Sequence, residues 1–164
     1  GGKGNLLIIA ADFGEYKNLA PMMDAKIKSF QKTLKRTGGV TLAALEKVKI
    51  HPPSLARVGE FMLPDQLTRI LEKHTRLDAI VSFVGLSPLA NEEIRRLKDN
   101  PAKLVVASGY NAAYKRLLQS GVLHLAIIPR TENPPENAPK PRTLRDWFDR
   151  DYEIVTPNTA ASLP

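Results

Sequence analysis

Residues 5–14 read NLLIIAADFG, in which an uninterrupted apolar run from Leu6 to Ala10 is ended by Asp12 and Gly14. An apolar run without alternation is typical of a β-strand that is buried on both faces, as in a parallel sheet. The polar residue and the glycine that follow mark the end of the strand. We therefore expect the chain to begin with a buried strand of a parallel sheet.

A helix is predicted directly after this strand. Apolar residues recur there at spacings of three and four, which places them along one helical face; they are Ala20, Met23, Ile27, Phe30 and Leu34. Gly38 and Gly39 follow the pattern, and glycine is common just after the last turn of a helix. We expect this helix to cross from the first strand to the second.

Four further strands are predicted, with helical patterns between them. The strands are expected over residues 40–50, 78–83, 103–107 and 123–128. Pro64 is expected to open one helix, which ends at Arg76 and Leu77, and Ser87-Pro88 to cap the next, which runs to Lys98. Asn111 is expected to cap a helix that Gly121 terminates.

Strands that alternate with helices over short connections require right-handed crossovers. The order predicts an α/β fold, namely a doubly wound parallel sheet of five strands with helices on both faces. Such a three-layer sandwich is of the Rossmann-like or flavodoxin-like kind.

The chain is predicted to hold one domain. Residues 1–130 are expected to form the α/β domain, 131–142 a linker loop, and 143–164 a C-terminal tail that docks on the same domain. Thr143 and Asp146 have the spacing of a helix cap, and residues 152–156 are expected to be extended. We interpret Trp147 as a packing anchor of the tail, because large aromatic side chains dominate core burial.

Composition narrows the classes of function. The chain has 164 residues, of which 43% are hydrophobic and 25% charged, as in an ordinary globular domain. It has no apolar run near the ~20 residues of a membrane-spanning helix, so we expect a soluble domain without membrane insertion. The absence of cysteine excludes thiolate metal sites and thiol nucleophiles, the histidines lack metal-ligand spacing, and no cofactor or metal is predicted.

The formal net charge of +7 raises the question of nucleic-acid binding. The basic residues lie mainly on two predicted helices; they are Lys26, Lys28, Lys32, Lys35, Arg36, Arg95, Arg96 and Lys98. No aromatic residues interleave with them to stack on bases. We therefore interpret them as solvated helix faces and do not expect a nucleic-acid partner.

Common enzyme motifs are missing from the sequence. Neither the G-x-G-x-x-G turn of dinucleotide-binding folds, nor the P-loop, nor the G-x-S-x-G nucleophile elbow occurs. A phosphoacceptor receiver domain would need an aspartate at the end of the third strand, where this chain has Ser82-Phe83-Val84-Gly85.

Candidate site residues follow from the predicted topology, because ligands of doubly wound sheets bind outside the carboxyl ends of the strands. The ligand-binding candidates are Asp12, Phe13, Tyr16, Ser108, Tyr110 and Arg130, and Gly85 and Ser87 follow the third strand. An enzyme would instead use Asp12 and Glu15 as paired carboxylates or His51 as a general base, although each residue also fits a loop cap or the surface.

Several segments, taken in order, carry a family resemblance. They are Asp78–Val81 with a following loop and Ala90, Lys103–Val106, Leu117–Gly121, Ile128-Pro129 and Tyr152–Asn158. In this order they resemble the C-terminal lobe of type I periplasmic solute-binding proteins, whose relatives include lac-repressor-like regulators. The likeness spans about residues 5–130 and the tail.

The resemblance implies a non-enzymatic module that binds or senses a small, sugar-like solute in the periplasm or outside the cell, with a cytoplasmic location as the alternative. It also implies a second lobe or a homo-oligomer, because the family holds its ligand between two lobes and this chain supplies one. Sugar-binding members have polar groups where this chain has Val84-Gly85, Ala107-Ser108 and Ile128. The alternatives are a structural or protein-interaction domain without a small-molecule site, and an enzyme that uses Asp12, Glu15 or His51.

Overall fold

The computed structural model describes residues 3–14, 19–50, 61–109, 111–130 and 140–163. In chain order its elements are β1 (Gly4–Asp12), α1 (Ala20–Thr37), β2 (Val40–Lys49), β3 (Phe61–Met62), α2 (Pro64–Lys73), β4 (Ala79–Ser82), β5 (Gly85–Leu86), α3 (Asn91–Lys98), β6 (Lys103–Ala107), α4 (Ala113–Gln119), β7 (Leu123–Pro129), α5 (Leu144–Asp151), β8 (Tyr152–Val155) and a short 3-10 helix (Ala160–Ser162). The predicted α/β class is confirmed.

The main sheet contains six strands in the order β2-β1-β4-β6-β7-β8. The first five of these strands pair in parallel, and β8 pairs antiparallel with β7. The expectation of a five-stranded, wholly parallel sheet is therefore corrected to six strands and a mixed sheet. The chain passes from β1 to β2 on one side and then to β4 on the other, so the order of strands reverses at β1.

The position of β1 explains its composition. It lies between β2 and β4, and every side chain from Leu6 to Ala11 is buried. A strand in the middle of a sheet that is covered on both faces has no side open to water, so its apolar residues do not alternate with polar ones.

The edge strand β2 has a different pattern. Its even-numbered residues are partly buried, or fully buried at Val48, and its odd-numbered residues, such as Lys47 and Lys49, are exposed. This period of two is typical of a strand that is covered on one face only.

Helices α1 and α2 begin as predicted. Pro21 lies in the first turn of α1, and Gly38, which follows the helix, has a φ of 69°, a conformation that glycine adopts without strain. In α2, the backbone N–H of Leu63 donates to the side chain of Gln66 at 2.9 Å, which caps the helix start. The helix ends at Lys73, before the predicted Arg76 and Leu77.

The prediction that Ser87-Pro88 caps α3 is wrong. The helix begins at Asn91, and the Glu93 side chain accepts a hydrogen bond from the Ala90 backbone N–H at 2.6 Å. Ser87 instead donates from its hydroxyl to the Met62 carbonyl at 2.9 Å. This bond extends a small parallel pair of β3 and β5, whose two-residue strands were not predicted.

The tail adds the sixth strand to the sheet. Thr143 and Asp146 form the predicted cap of α5, because the Asp146 N–H donates to the Thr143 hydroxyl and the Thr143 N–H to the Asp146 carboxylate. The interpretation of Trp147 as a packing anchor is wrong, since this side chain is 48% exposed. The tail residues that enter the core are Val155, Ala160 and Leu163.

The backbone amides at both ends of β8 are engaged within the tail. The Tyr152 N–H donates to the Phe148 carbonyl, and the Thr156 N–H donates to the Thr159 hydroxyl at 2.9 Å. The Arg130 N–H donates to the Asp151 carbonyl, so these two residues form a hydrogen-bonded pair. Along an antiparallel ladder such pairs alternate with non-hydrogen-bonded pairs, and Ile154 belongs to one of the latter. The backbone groups of Ile154 therefore point away from β7.

None of the helices within the described ranges is long and apolar enough to cross a membrane.

Candidate functional site

A cavity of about 410 Å³ lies at the carboxyl ends of β4, β6 and β7, beside the start of β8. Its walls come from three strands (β6, β7 and β8), from the loops that follow β4 and β6, and from α1; the lining residues are Lys26, Phe83, Ala107, Ser108, Gly109, Ile127, Pro129 and Tyr152. This volume falls in the range of roughly 300–1,000 Å³ that is usual for small-molecule sites. We call it the rim cavity.

A tight turn after β4 presents the Phe83 ring to the rim cavity. The buried hydroxyl of Ser82 donates to the Val84 carbonyl at 2.7 Å and accepts from the Val84 N–H at 3.2 Å. The Phe83 N–H donates to the Ile9 carbonyl at 2.9 Å, which ties the turn to β1. The ring also packs edge-to-face on Phe30 of α1, with centroids 5.7 Å apart. These contacts fix the aromatic wall of the cavity.

Ser108, which directly follows β6, contributes a hydroxyl to the rim cavity, and Tyr114 of α4 lies beside it. The Tyr114 side chain is fully buried, and burial raises its pKa to about 12, although the Leu86 N–H and the Ser108 hydroxyl act in the opposite direction. Its phenol oxygen has no partner in good hydrogen-bond geometry among the described residues. Tyr114 is therefore a neutral phenol at physiological pH, held close to the Ser108 hydroxyl.

Lys26 is the charged residue of the rim cavity. It lies on α1 beside the buried Ile27 and is itself exposed. In the part of the chain that the structure describes, the Asp24 carboxylate pairs with Lys47 at 3.6 Å, and no ion pair involves Lys26. With respect to the described residues, its ammonium group is therefore available to a ligand.

Asp12 and Phe13 do not occur among the lining residues of the rim cavity. Asp12 ends β1, and its carboxylate accepts a hydrogen bond from the Gly14 N–H at 3.0 Å, so it closes a turn. Phe13 is only 8% exposed and belongs to the hydrophobic core. Ligand binding by these two residues stays a prediction.

Arg130 lies on the tail side of β7. Its Nε donates to the Asp149 carbonyl at 2.9 Å, and Nη1 lies 4.0 Å from the Glu153 carboxylate. It lines a second groove, of about 380 Å³, together with residues of α5 and β8. Tyr152 lines both this groove and the rim cavity, so Ser108 and Arg130 occupy neighbouring sites rather than one site.

The other candidates fall in two groups. Tyr16 and Tyr110 of the binding set, and Glu15 and His51 of the enzyme alternative, lie outside the described residues. Gly85 lies in β5 and Ser87 binds the Met62 carbonyl, so both serve the small sheet.

The sequence predicted Ser108 but missed Lys26, Phe83 and Tyr152. Phe83 follows a predicted strand at the same rim as Ser108, so the same rule could have found it. Tyr152 was assigned to an extended segment, but its place beside β7 depends on the antiparallel pairing of the tail. Lys26 had no distinguishing feature in a helix face rich in lysine.

Within the described ranges, no group of three or more His, Asp or Glu side chains is arranged to hold a metal ion. Comparison of the chain with protein-family models, with curated proteins and with solved structures gave no match.

Proposed function

We propose that the chain is a non-enzymatic binding module that holds a small solute in the rim cavity. The observation that carries the proposal is a cavity of ligand size at the carboxyl ends of parallel strands, with the Ser108 hydroxyl and the Phe83 ring in its wall. Ligands of α/β sheets bind at this end because the strand-exit loops diverge there.

The strand order supports this proposal. When the short strands β3 and β5 are left aside, the parallel strands follow the order 2-1-3-4-5 of doubly wound, flavodoxin-like sheets. In such sheets the site lies near the reversal of strand order, which here is between β1 and β4. Phe83 directly follows β4, so the rim cavity adjoins this point.

We further propose that the chain corresponds to one lobe of a periplasmic-binding-protein-like clamp. A second lobe or a second copy would then cover the rim cavity, and the protein would act in the periplasm or outside the cell. Cell fractionation of the native host, with antibody detection of the chain, tests the location; recovery with the cytoplasmic fraction would contradict it.

Ligand binding is tested by calorimetry and by thermal shift with a panel of sugars, amino acids and small organic acids. A ligand that binds the native state raises the melting temperature. The variant Gly109→Leu should abolish this rise, because a Cβ at Gly109 meets no atom within 4 Å and the added side chain would occupy space at the cavity.

The matched control is Gln119→Leu, which adds a leucine at the end of α4 outside the rim cavity. Both variants should change the free energy of unfolding by less than about 0.5 kcal/mol, as is usual for exposed positions. The proposal fails if no solute of the panel binds, or if Gly109→Leu leaves binding intact.

A second candidate function is that of a self-associating interaction domain, and the tail favours it. Among the described residues, the exposed large apolar side chains include four in the tail: Leu144, Trp147, Tyr152 and Ile154. Arg145 and Asp149 pair at 2.7 Å on α5, so two antiparallel α5 helices from two copies would bring opposite charges together. The predicted partner is therefore a second copy of this chain.

Light scattering at several concentrations tests this function. A dimer that becomes a monomer in Leu144→Ser, but not in the control Met22→Ser on α1, would support it. A wild-type chain that is monomeric at all concentrations would exclude it.

A further inference from the structure

Among the described residues that line the rim cavity, the charge has one sign. Among its described lining residues, Lys26 carries a full charge and no carboxylate is present. The α1 sequence APMMDAKIKSFQKTLKRT has five basic residues and a single acidic one, Asp24, which pairs with Lys47. Of these basic residues Lys26 lines the rim cavity, and a positive charge beside a cavity produces a potential that attracts the opposite charge.

The side chains of the remaining described lining residues are mostly apolar. Phe83, Ala107, Ile127 and Pro129 supply apolar surface, and Ser108 and Tyr152 supply one hydroxyl each. A sugar gains affinity and specificity from polar partners that match each of its hydroxyls, and an unmatched hydroxyl is costly to bury. The described lining offers few polar side chains to match the hydroxyls of a polyhydroxylated ligand.

From these two observations we infer that the solute of the rim cavity is a small organic anion, with a carboxylate held by Lys26 and Ser108 and an apolar body against Phe83, Ile127 and Pro129. This inference rests on the proposed function, because it names the ligand class of the same cavity. It replaces the sugar-like ligand that the sequence resemblance implies.

The chemistry of the two polar groups fits a carboxylate. The Lys26 ammonium provides charge-assisted hydrogen bonds, which are about twice as strong as neutral ones. The Ser108 hydroxyl donates one further bond, and the neutral Tyr114 phenol beside it adds no competing negative charge. A planar apolar body would pack on the Phe83 ring, which Phe30 holds in place.

Matched pairs of probes test the inference by NMR titration, which detects weak binding. The anions are phenylacetate and hexanoate, their neutral counterparts are phenylacetamide and hexanamide, and the sugars are glucose and galactose. We expect each anion to bind at least about tenfold more tightly than its amide, since a hydrogen bond to a charged group contributes that much. Binding of the anions should weaken as the salt concentration rises.

The variant Lys26→Gln tests how much the charge of this side chain contributes to anion binding. It should weaken binding of the anions about tenfold and leave the amides unaffected, and Lys26→Arg should restore most of the loss. Lys28→Gln is the control, because it removes the same charge from the same exposed helix but does not line the rim cavity.

The outcomes separate the two proposals. If the amides or sugars bind as well as the anions, or if Lys26→Gln has no effect on the anions, the inference is overturned while the proposed function stands. If no probe in this set or in the broader panel binds, both are overturned. If the anions bind preferentially and only Lys26→Gln weakens them, the ligand class is supported.

Discussion

Glu46 on β2 is bound by two neighbouring basic side chains. Its Oε1 lies 2.7 Å from Lys73 Nζ and 2.7 Å from His74 Nε2, both at the end of α2. The hydrogen bond from Lys73, followed by that from His74, lowers the pKa of Glu46 below its ordinary value of 4.5. This cluster links the edge of the sheet to α2.

The lowered pKa predicts acid sensitivity. Because the folded state holds Glu46 charged at lower pH than the unfolded state does, its contribution is complete well above pH 4.5 and is lost as the pH falls below that value. In Glu46→Gln the free energy of unfolding should drop by up to about 1 kcal/mol at pH 7, as for other exposed ion pairs. The difference from wild type should shrink toward pH 3 in urea unfolding, whereas Glu72→Gln should match wild type throughout.

The raised pKa of Tyr114 predicts that the free energy of unfolding falls at basic pH. Its pKa is about 12 in the folded state and about 10 when unfolded, so the unfolded chain loses a proton first and stability falls between pH 10 and pH 12. The loss attributable to this residue should be about 2 kcal/mol near pH 12. Tyr114→Phe should lack it and, by removing a buried hydroxyl without a good partner, should be at least as stable as wild type at pH 7. A variant that is markedly less stable at pH 7 would show that the phenol has a strong partner.

At the scale of elements, α5 depends on its cap more than on burial, because none of its residues is buried. Thr143→Ala removes the hydroxyl that accepts the Asp146 N–H and should cost about 1 kcal/mol of local helix stability. Hydrogen exchange should accelerate over residues 144–151 while the melting temperature stays nearly constant. Equal acceleration in β1 would mean that α5 unfolds only with the whole domain.

The elements that the sequence predicted are those with long, regular patterns. The run in β1 and the spacing of Met23 and Ile27 in α1 need only local information. The strands β3 and β5 have two residues each, which is too short for any period, and their pairing joins positions far apart in sequence. The start of α3 was misplaced because Ser87 is chemically suited to cap a helix but its hydroxyl finds the Met62 carbonyl instead.

At the scale of the whole molecule, it is easier to predict from the sequence that two strands run parallel than to predict which strands lie next to each other in the sheet. A strand–helix–strand crossover joins parallel strands, but only long-range packing places β2 and β4 on opposite sides of β1. Ser108 could be predicted because the carboxyl ends of all parallel strands lie at the same edge of the sheet, so each residue that follows a strand is a candidate ligand-binding residue. Lys26 could not, because which lysine of α1 faces the cavity depends on how the helix lies on the sheet.

The central position of β1 predicts a large cost for truncating its side chains. Ile9 is fully buried, so Ile9→Ala should lower the free energy of unfolding by about 2–5 kcal/mol in chemical denaturation. Leu45→Ala on β2 is the control, because Leu45 is 39% exposed and should cost less than about 1 kcal/mol. Similar losses for the two variants would argue against β1 as the middle of the core.

The hydrogen bonds that the amides at the ends of β8 make within the tail reduce the number of free backbone groups at this border of the sheet. A strand at the border of a sheet usually has a row of free N–H and C=O groups with which another chain can pair, and such pairing is a common route to fibrils. Here the outward-facing N–H groups of Tyr152 and Thr156 donate within the tail, so the outward-facing N–H of β8 that is not engaged there is that of Ile154. At the other border, the exposed Lys49 of β2 opposes docking through its charge, whereas Lys47 pairs with Asp24. The few unengaged N–H groups of β8 and the Lys49 charge of β2 are therefore features that disfavour the pairing of further chains at the two borders.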